Sequence, residues 1–487
     1  MKIRAILAAA ACLVAVFACS KVNPDEDVTS VSGNCAGEFN HDLHTVRYDT
    51  EFRAVWTATV ANIDWPVKGA SASAQKLALR TLMEEVKSAG CNAVVLQVVS
   101  NADAIYPSKL LPWSVLLTGT QGKDPGYDPL AYAVETAHSL GLELHAWFNP
   151  LRIGATSAVR VSDHPMFQHK DWWKEMDGAY YWNPGLPEVR AFLRAIMEEV
   201  VTNYDVDGTH IDDYFYRAGV KGKGYTNWDD SAQYNLYNGG KSLDDWRTWN
   251  IDEMVKGYLE VTHASKGSAV FGVSPAGRLA LTQSYCADPV HWVAQGSLDY
   301  LTPQIYWSSQ RGGDFADFDD VVLPSWVAMH GNVPLMPGLA SYKYSQAGFE
   351  DVSEYLYEVK TSRNAGCVGN FWYNTTSVRN EAVHNYLSST VYPAEALTPV
   401  LSRSPKQLTP PVPSSSGTLI TWGETAGADD YVVLRLTRAT GTSSVWNAAV
   451  VSSGKTRSFT GTKGGYYIVL SRSGAARSTY SKVLYLE

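Results

Sequence analysis

Asp212 and Asp213 stand side by side in Asp207-Gly208-Thr209-His210-Ile211-Asp212-Asp213-Tyr214-Phe215-Tyr216, where a β-rich run meets two carboxylates and then aromatic rings. Like charges at this range cannot both ionise cheaply, so one pKa rises, and a carboxyl group that keeps its proton near neutrality is what general acid catalysis needs. The two aspartates are therefore the candidate catalytic pair. Other polar and aromatic residues follow similar β-rich runs: Gln97 with Asp103 beyond it, then His145, Trp147, Asn149 and Arg152, then Gln304, Tyr306 and Trp307, then Trp372. Together with Asp64, Asn183, His210 and Tyr214 they form the candidate substrate contacts. Trp and Tyr present flat apolar faces with a polar edge, which suits sugar rings. His145, His210, Asp212 and Asp213 are legitimate metal ligands, but no short His-x-His or His-Glu-x-x-His spacing accompanies them, and neither metal nor cofactor is expected. No Gly-x-Ser-x-Gly elbow and no Gly-rich loop followed by Lys-Ser/Thr occurs, which leaves acyl-serine and P-loop chemistry without support.

These residues need a scaffold that brings separate runs to one rim. Eight β-rich runs recur with amphipathic stretches between them: Phe52–Thr59, Asn92–Val99, Glu143–Asn149, Gly208–Tyr214, Val270–Pro275, Tyr300–Trp307, Pro334–Leu339 and Val368–Tyr373. Helices are expected over Leu130–Leu140 and Glu188–Tyr204, each preceded by a proline at the position where a first-turn N–H is dispensable, and over Val378–Leu387. In the second, Val189, Phe192, Leu193, Ile196 and Val200 recur at helical spacing. Eight βα units predict a (β/α)8 barrel over residues 51–395, and such barrels carry their chemistry at the carboxyl ends of the strands. A Pro/Ser-rich linker (396–417) precedes short alternating segments at Thr418–Trp422, Tyr431–Thr437, Ser444–Val450 and Tyr466–Ser471. These predict a small all-β sandwich over 418–487, resembling fibronectin type III. From 401 to 487 ten basic residues face four acidic ones, and a solvated spacer face is the expected reason.

Composition narrows the partners. Net charge is −9, hydrophobic residues make up 45% and charged ones 18% of the 487-residue chain, which excludes a disordered polymer and leaves no global basic field for nucleic acid. The 16 Trp and 28 Tyr fit a glycan better. At the start, Lys2 and Arg4 precede an apolar run from Ala5 to Ala18, shorter than the ~20 residues of a spanning helix. It ends in Val16-Phe17-Ala18-Cys19, resembling a bacterial lipobox, so residues 1–18 are expected to leave as a signal peptide and Cys19 to carry lipid. Residues 19–50 would form a tether, holding the protein at the bacterial cell envelope, on the outer membrane, as a monomer. Cys35, Cys91, Cys286 and Cys367 match no zinc pattern, and Cys91 and Cys367 are expected as buried thiols, with a disulfide among the four left open.

Phe52-Arg53-Ala54-Val55-Trp56, Asn62-Ile63-Asp64-Trp65-Pro66, His145-Ala146-Trp147-Phe148-Asn149-Pro150, the Asp207–Tyr216 run and Thr302-Pro303-Gln304-Ile305-Tyr306-Trp307 resemble, in order, the glycosyl hydrolase-like 10 family. The resemblance implies a glycosidase on a (β/α)8 barrel. It also implies, through characterised relatives, a substrate of denuded peptidoglycan, meaning glycan strands stripped of their stem peptides. Such sugars carry a 2-acetamido group that can itself attack the anomeric carbon, a scheme needing one carboxylate on the acetamide and another on the leaving oxygen. Asp212 then serves the acetamide and Asp213 is the acid/base, or the reverse. A conventional retaining mechanism would instead require a second carboxylate ~5–5.5 Å from Asp212, with Asp64 or Asp103 as candidates. Two rivals stand beside this reading: hydrolysis of another polysaccharide, and a non-catalytic glycan-binding lipoprotein.

Overall fold

The computed structural model describes residues 45–217, 220–223, 228–310, 317–440 and 444–487. The signal peptide, Cys19, Cys35 and most of the tether lie outside the described residues. Eight parallel strands, β1 (Phe52–Thr57), β2 (Ala93–Val99), β3 (Glu143–Phe148), β4 (Gly208–Ile211), β5 (Val270–Val273), β6 (Tyr300–Leu301), β7 (Gly338–Leu339) and β8 (Gly369–Tyr373), hydrogen-bond in the order β6-β5-β4-β3-β2-β1-β8-β7. The ends of that row meet. Parallel bridges Leu301–Leu335 and Gln304–Gly338 join β6 to β7, with the N–H groups of Met336 and Gly338 donating to the carbonyls of Leu301 and Pro303. The result is a closed (β/α)8 barrel, with each strand inside its expected run.

Strand alternation separates two cores. Phe52, Ala54, Trp56, Ala93, Val95, Trp147, Val270, Tyr300 and Phe371 fill the barrel interior, while their neighbours Val55, Val94, Leu96, Leu144, Ala146, Phe271 and Trp372 pack outward against the helices. The helices bury matching stripes. Helix Pro187–Asn203 starts with its proline in the first turn and buries Val189, Leu193, Ile196, Met197, Val200 and Val201. Helix Pro129–Ser139 is capped by Asp128, whose side chain accepts from Ala131 N. The helix expected over Val378–Leu387 is two short ones, Thr375–Val378 and Glu381–Tyr386, because Asn380 interrupts the first and caps the second.

The C-terminal module is all-β. One sheet contains Asp430–Arg438, Val445–Gly454 and Tyr466–Ser473, and the other contains Ser414–Ser416, Leu419–Thr421 and Ser458–Thr460. Ile420, Trp422, Tyr431, Val433, Tyr467 and Val469 pack between them. Two segments expected as connectors take part: Thr45–Tyr48, in the tether range, pairs in parallel with Val445–Ala448, and Ser414–Ser416, in the linker range, pairs with Leu419–Thr421. The basic residues are not all solvated either. Arg472 binds Asp430 through both Nε and Nη2, at 2.8 and 2.6 Å, and Arg477 donates to the Thr398 carbonyl at 2.5 Å. Cys91, Cys286 and Cys367 are free thiols, the first two buried and the third half-buried, so among the described cysteines the open disulfide does not form.

Candidate active site

The carboxyl ends of the strands surround a cleft of about 410 Å³. Alternation decides which side chains reach it. Gln97 on β2, Trp147 and Asn149 at the end of β3, Asp212 after β4, Ser274 after β5 and Tyr373 on β8 each sit an even number of residues from an interior position and point inward at the top layer. The loops add Arg152, Asp213, Tyr214, Gln304 and Tyr306.

The aspartates differ in setting. Asp212 is 3% exposed; Trp147 Nε1–H donates to its Oδ2 at 3.0 Å and Tyr214 N–H to its Oδ1 at 3.3 Å. Burial first, and the neighbouring Asp213 charge second, push the Asp212 carboxyl well above the usual range. Asp213 is half-buried on the cleft wall. Burial raises its carboxyl too, partly opposed by a hydrogen bond from the Gln304 side chain, which also donates to the Ser274 carbonyl at 3.1 Å. Two neighbouring carboxyls with raised pKa values lose their protons in separate steps, and between those steps the site holds one acid and one base.

Nine of the sixteen expected contact and catalytic residues line the cleft: Gln97, Trp147, Asn149, Arg152, Asp212, Asp213, Tyr214, Gln304 and Tyr306. The other seven are placed elsewhere. His145 and His210 point inward but one layer too deep, into a hydrogen-bonded column. Trp56 Nε1–H can only donate, so His210 Nε2 accepts from it at 3.2 Å, leaving His210 Nδ1–H for Tyr300 Oη at 3.1 Å. Tyr300 O–H then turns to His145 Nδ1 at 2.9 Å, and His145 Nε2 reaches Glu143 at 3.3 Å. Burial, aided by the charge of His145, holds the His210 pKa well below the ordinary value, so it stays neutral. With these ring nitrogens engaged, neither histidine offers a metal a free lone pair.

The remaining five do local work. Trp372 points outward, its Nε1–H donating to Tyr392 Oη at 3.1 Å. Asn183 is buried in a turn, accepting from Gly185 N at 3.1 Å. Trp307 lies under the Arg278 guanidinium at 5.1 Å. Asp64 accepts from Ala58 N and Thr376 N at 2.7 and 2.8 Å, tying the loop after β1 to that after β8. Asp103 is buried, taking Val115 N and Gln121 Nε2 at 3.2 Å each. Neither of these carboxylates lines the cleft, so among the described residues its acids are Asp212 and Asp213 alone.

Trp56, Ser274, Tyr285 and Arg217 line the cleft without having been singled out as contacts, and Tyr373, expected at the rim with Trp372 at the end of the eighth run, lines it too. Counting alternation from Ala54 and Phe371 places Trp56 and Tyr373 at the inward top positions. Arg217, in an irregular segment, has no periodic signal to count from.

Comparison with known proteins follows the same span. A family model described as Glycosyl hydrolase-like 10 matches residues 51–399. Glycosyl hydrolase YngK of Bacillus subtilis (strain 168) is 39% identical over 384 residues, 72% of this chain and 74% of that protein. Glycosyl hydrolase DigH of Escherichia coli (strain K12) is 33% identical over 381 residues, 70% and 83% of the two chains. Among solved structures, the PgaB (BpsB) glycoside hydrolase domain from Bordetella bronchiseptica aligns with a TM-score of 0.49 at 11% identity, covering 70% of this chain and 98% of its own.

Proposed function

The chain belongs to the glycosyl hydrolase-like 10 family and is a glycosidase, and on that premise we infer that it hydrolyses peptide-free peptidoglycan strands with the 2-acetamido group of the substrate as nucleophile. The observation that carries the mechanism is the pair of aspartates as the acids of the described cleft wall, with Asp64 and Asp103 committed to loop N–H groups. A conventional retaining scheme lacks its second carboxylate among these residues.

Asp212, held by Trp147 and Tyr214, orients the acetamide N–H; that hydrogen bond and the charge of Arg152 favour its carboxylate form once substrate is bound, which leaves the pair's proton on Asp213. The acetamide oxygen attacks C1 while Asp213 gives its proton to the leaving glycosidic oxygen. Asp213 then takes a proton from the water that opens the cyclic intermediate at C1, so the acid is regenerated and the anomeric configuration retained. Trp147, Tyr214, Tyr306 and Tyr373 supply ring faces for the pyranoses. The lipobox ending at Cys19 supports an envelope anchor that would place the barrel beside this polymer; labelled palmitate incorporated by the full chain and lost in Cys19→Ala tests that part.

The deciding experiment is mass spectrometry of products from denuded strands and, in parallel, intact peptidoglycan. Release of small N-acetylated saccharides from denuded strands alone, absent in Asp213→Asn, is the expected result. Equal release from a neutral plant or host polysaccharide, with none from denuded strands, would assign the barrel to another substrate.

A further inference from the structure

The cleft contains more positive charge than its own acids can pair. Its charged lining among the described residues is Asp212, Asp213, Arg152 and Arg217, and burial disfavours the charged form of both acids. Arg152 is positioned from behind, its N–H donating to Asn149 Oδ1 at 3.0 Å, and its guanidinium lies 5.3 Å from the centre of the Tyr214 ring, with Nη1 3.5 Å from Tyr214 Oη. Its Nε is buried and has no hydrogen-bond partner among the described residues, and the same holds for Arg217 Nε. Among the described residues Arg217 pairs with the exposed Asp177 at 3.5 Å and lies over the Tyr181 ring at 5.6 Å.

Three enclosed arginines elsewhere are paired closely with carboxylates, although the half-buried Arg477 also has an open Nε. Arg247 meets Asp230 at 2.6 Å, Arg53 meets Glu51 at 2.7 Å and Arg472 meets Asp430 at 2.6 Å. A buried donor left open is costly in a resting fold and persists where an acceptor arrives from outside. The planar fork of arginine matches a carboxylate with two parallel hydrogen bonds. A strand built only of N-acetylhexosamine offers no such group.

We propose that Arg152, assisted by Arg217, forms a subsite for a carboxylate carried on the sugar itself, and that this subsite selects peptide-free strands. The proposal rests on the peptidoglycan reading above. In a denuded strand the lactyl ether of each muramic acid ends in a free carboxylate. In a substituted strand the same carbon is an amide, uncharged and followed by a peptide. Arg152 thus reads removal of the peptide through the charge it exposes, and the enzyme acts after a class of reaction that hydrolyses that amide.

The test compares denuded strands with the same strands after their lactyl carboxylates are converted to methylamides. Amidation is expected to lower the wild-type kcat/KM by about 10–100-fold, the range of a lost charge-assisted hydrogen bond. Arg152→Gln should lose a similar factor on native strands and little more on amidated ones, since the two changes remove one interaction. Any effect of Arg152 on the charge of Asp212 would act on both substrates alike, so the ratio between them is the readout. The inactive Asp213→Asn protein provides a second arm that needs no turnover: by calorimetry it should bind native strands at least about tenfold more tightly than amidated ones.

Equal cleavage and equal binding of native and amidated strands would overturn the subsite while leaving the substrate in place. Cleavage of neutral N-acetylglucosamine oligomers, with neither cleavage nor binding of denuded strands, would overturn both.

Discussion

At the scale of single residues, the Asp212–Asp213 pair gains its chemistry at a thermodynamic cost. Burial raises both carboxyl pKa values in the folded protein, and the charge of Asp213 raises that of Asp212 further, so the folded state holds a proton that the unfolded chain releases near its ordinary value of about 3.9. Stability contributed here therefore falls as pH rises from about 4 through the raised folded value, and the deficit stays constant above it. Asp212→Asn removes the charge and can keep the Trp147 hydrogen bond through its amide oxygen. Its Tm should match wild type at pH 4 and exceed it by about 1–2 °C at pH 8, for a gain of about 1–2 kcal/mol. Turnover should drop by at least about 10³-fold. A variant less stable than wild type at pH 8 would contradict the repulsion described here. The wild-type rate should follow a bell-shaped pH profile, falling on the acid side as both carboxyls become protonated and on the alkaline side as the remaining proton is lost. A rate independent of pH from 4 to 9 would remove the pair from the reaction.

At the scale of the strand, position along the pleat decides role, and here the sequence was readable only in part. Residue type put His145, Trp147, Asn149, His210 and Asp212 on inward-leading runs, and all five do point inward. What type could not reveal is depth. His145 and His210 lie a layer below the cleft because the chain runs two residues further, to Trp147 on β3 and to Asp212 just past β4. Trp372 was readable as outward from its odd spacing to Tyr373, yet its aromatic character resembles that of the rim. The buried column makes the distinction testable. Gly208 and Gly272 give it room: a Cβ at Gly208 would lie 2.6 Å from His145 Nδ1, and one at Gly272 would lie 1.9 Å from the Tyr300 ring. Tyr300→Phe keeps the volume but leaves His210 Nδ1–H and His145 Nδ1 unpaired, and should cost about 2–3 kcal/mol in denaturant unfolding. Gly272→Ala should cost more, because it displaces the ring itself. A neutral Tyr300→Phe would mean that the column contributes no net stability.

At the scale of the whole molecule, the C-terminal module is built into the amino-terminal end of the barrel, the face opposite the cleft. Composition suggested a spacer because the connection is rich in proline and serine and the module is basic. Long-range pairing, which composition does not encode, instead ties it from both sides of the barrel sequence: Thr45–Tyr48 enters through its sheet, and Thr50 bridges Leu397 on the way out. The junction is polar and enclosed. Asp207, immediately before β4, accepts from Leu144 N at 2.8 Å, His138 Nε2 at 2.9 Å and Ala475 N at 2.9 Å. Burial alone would raise its pKa, but the hydrogen bond and charge of His138 outweigh it and hold the carboxyl low, while His138, against its own burial, is raised by Asp207. The carboxylate contribution is present above about pH 4 and lost as pH falls through its lowered value. The imidazolium contribution is present below about pH 6.5 and lost as pH rises through its raised value. The tie is therefore strongest from about pH 4 to 6.5, and protection of the Ala475 amide against hydrogen exchange, corrected for intrinsic rates, should weaken above that window. Arg472 adds the second fastening, enclosed between Asp430 and Glu395 at 2.6 and 3.8 Å. Removing it leaves the buried Asp430 without its cation, while Glu395 keeps Lys87 at 2.9 Å, at a cost of about 3–5 kcal/mol. Wild type should unfold in one calorimetric transition, since barrel and module share these groups, and Arg472→Ala should resolve into two, with the module melting first. Two transitions in wild type, unmoved by Arg472→Ala, would show the module to be an independent unit resting against the barrel.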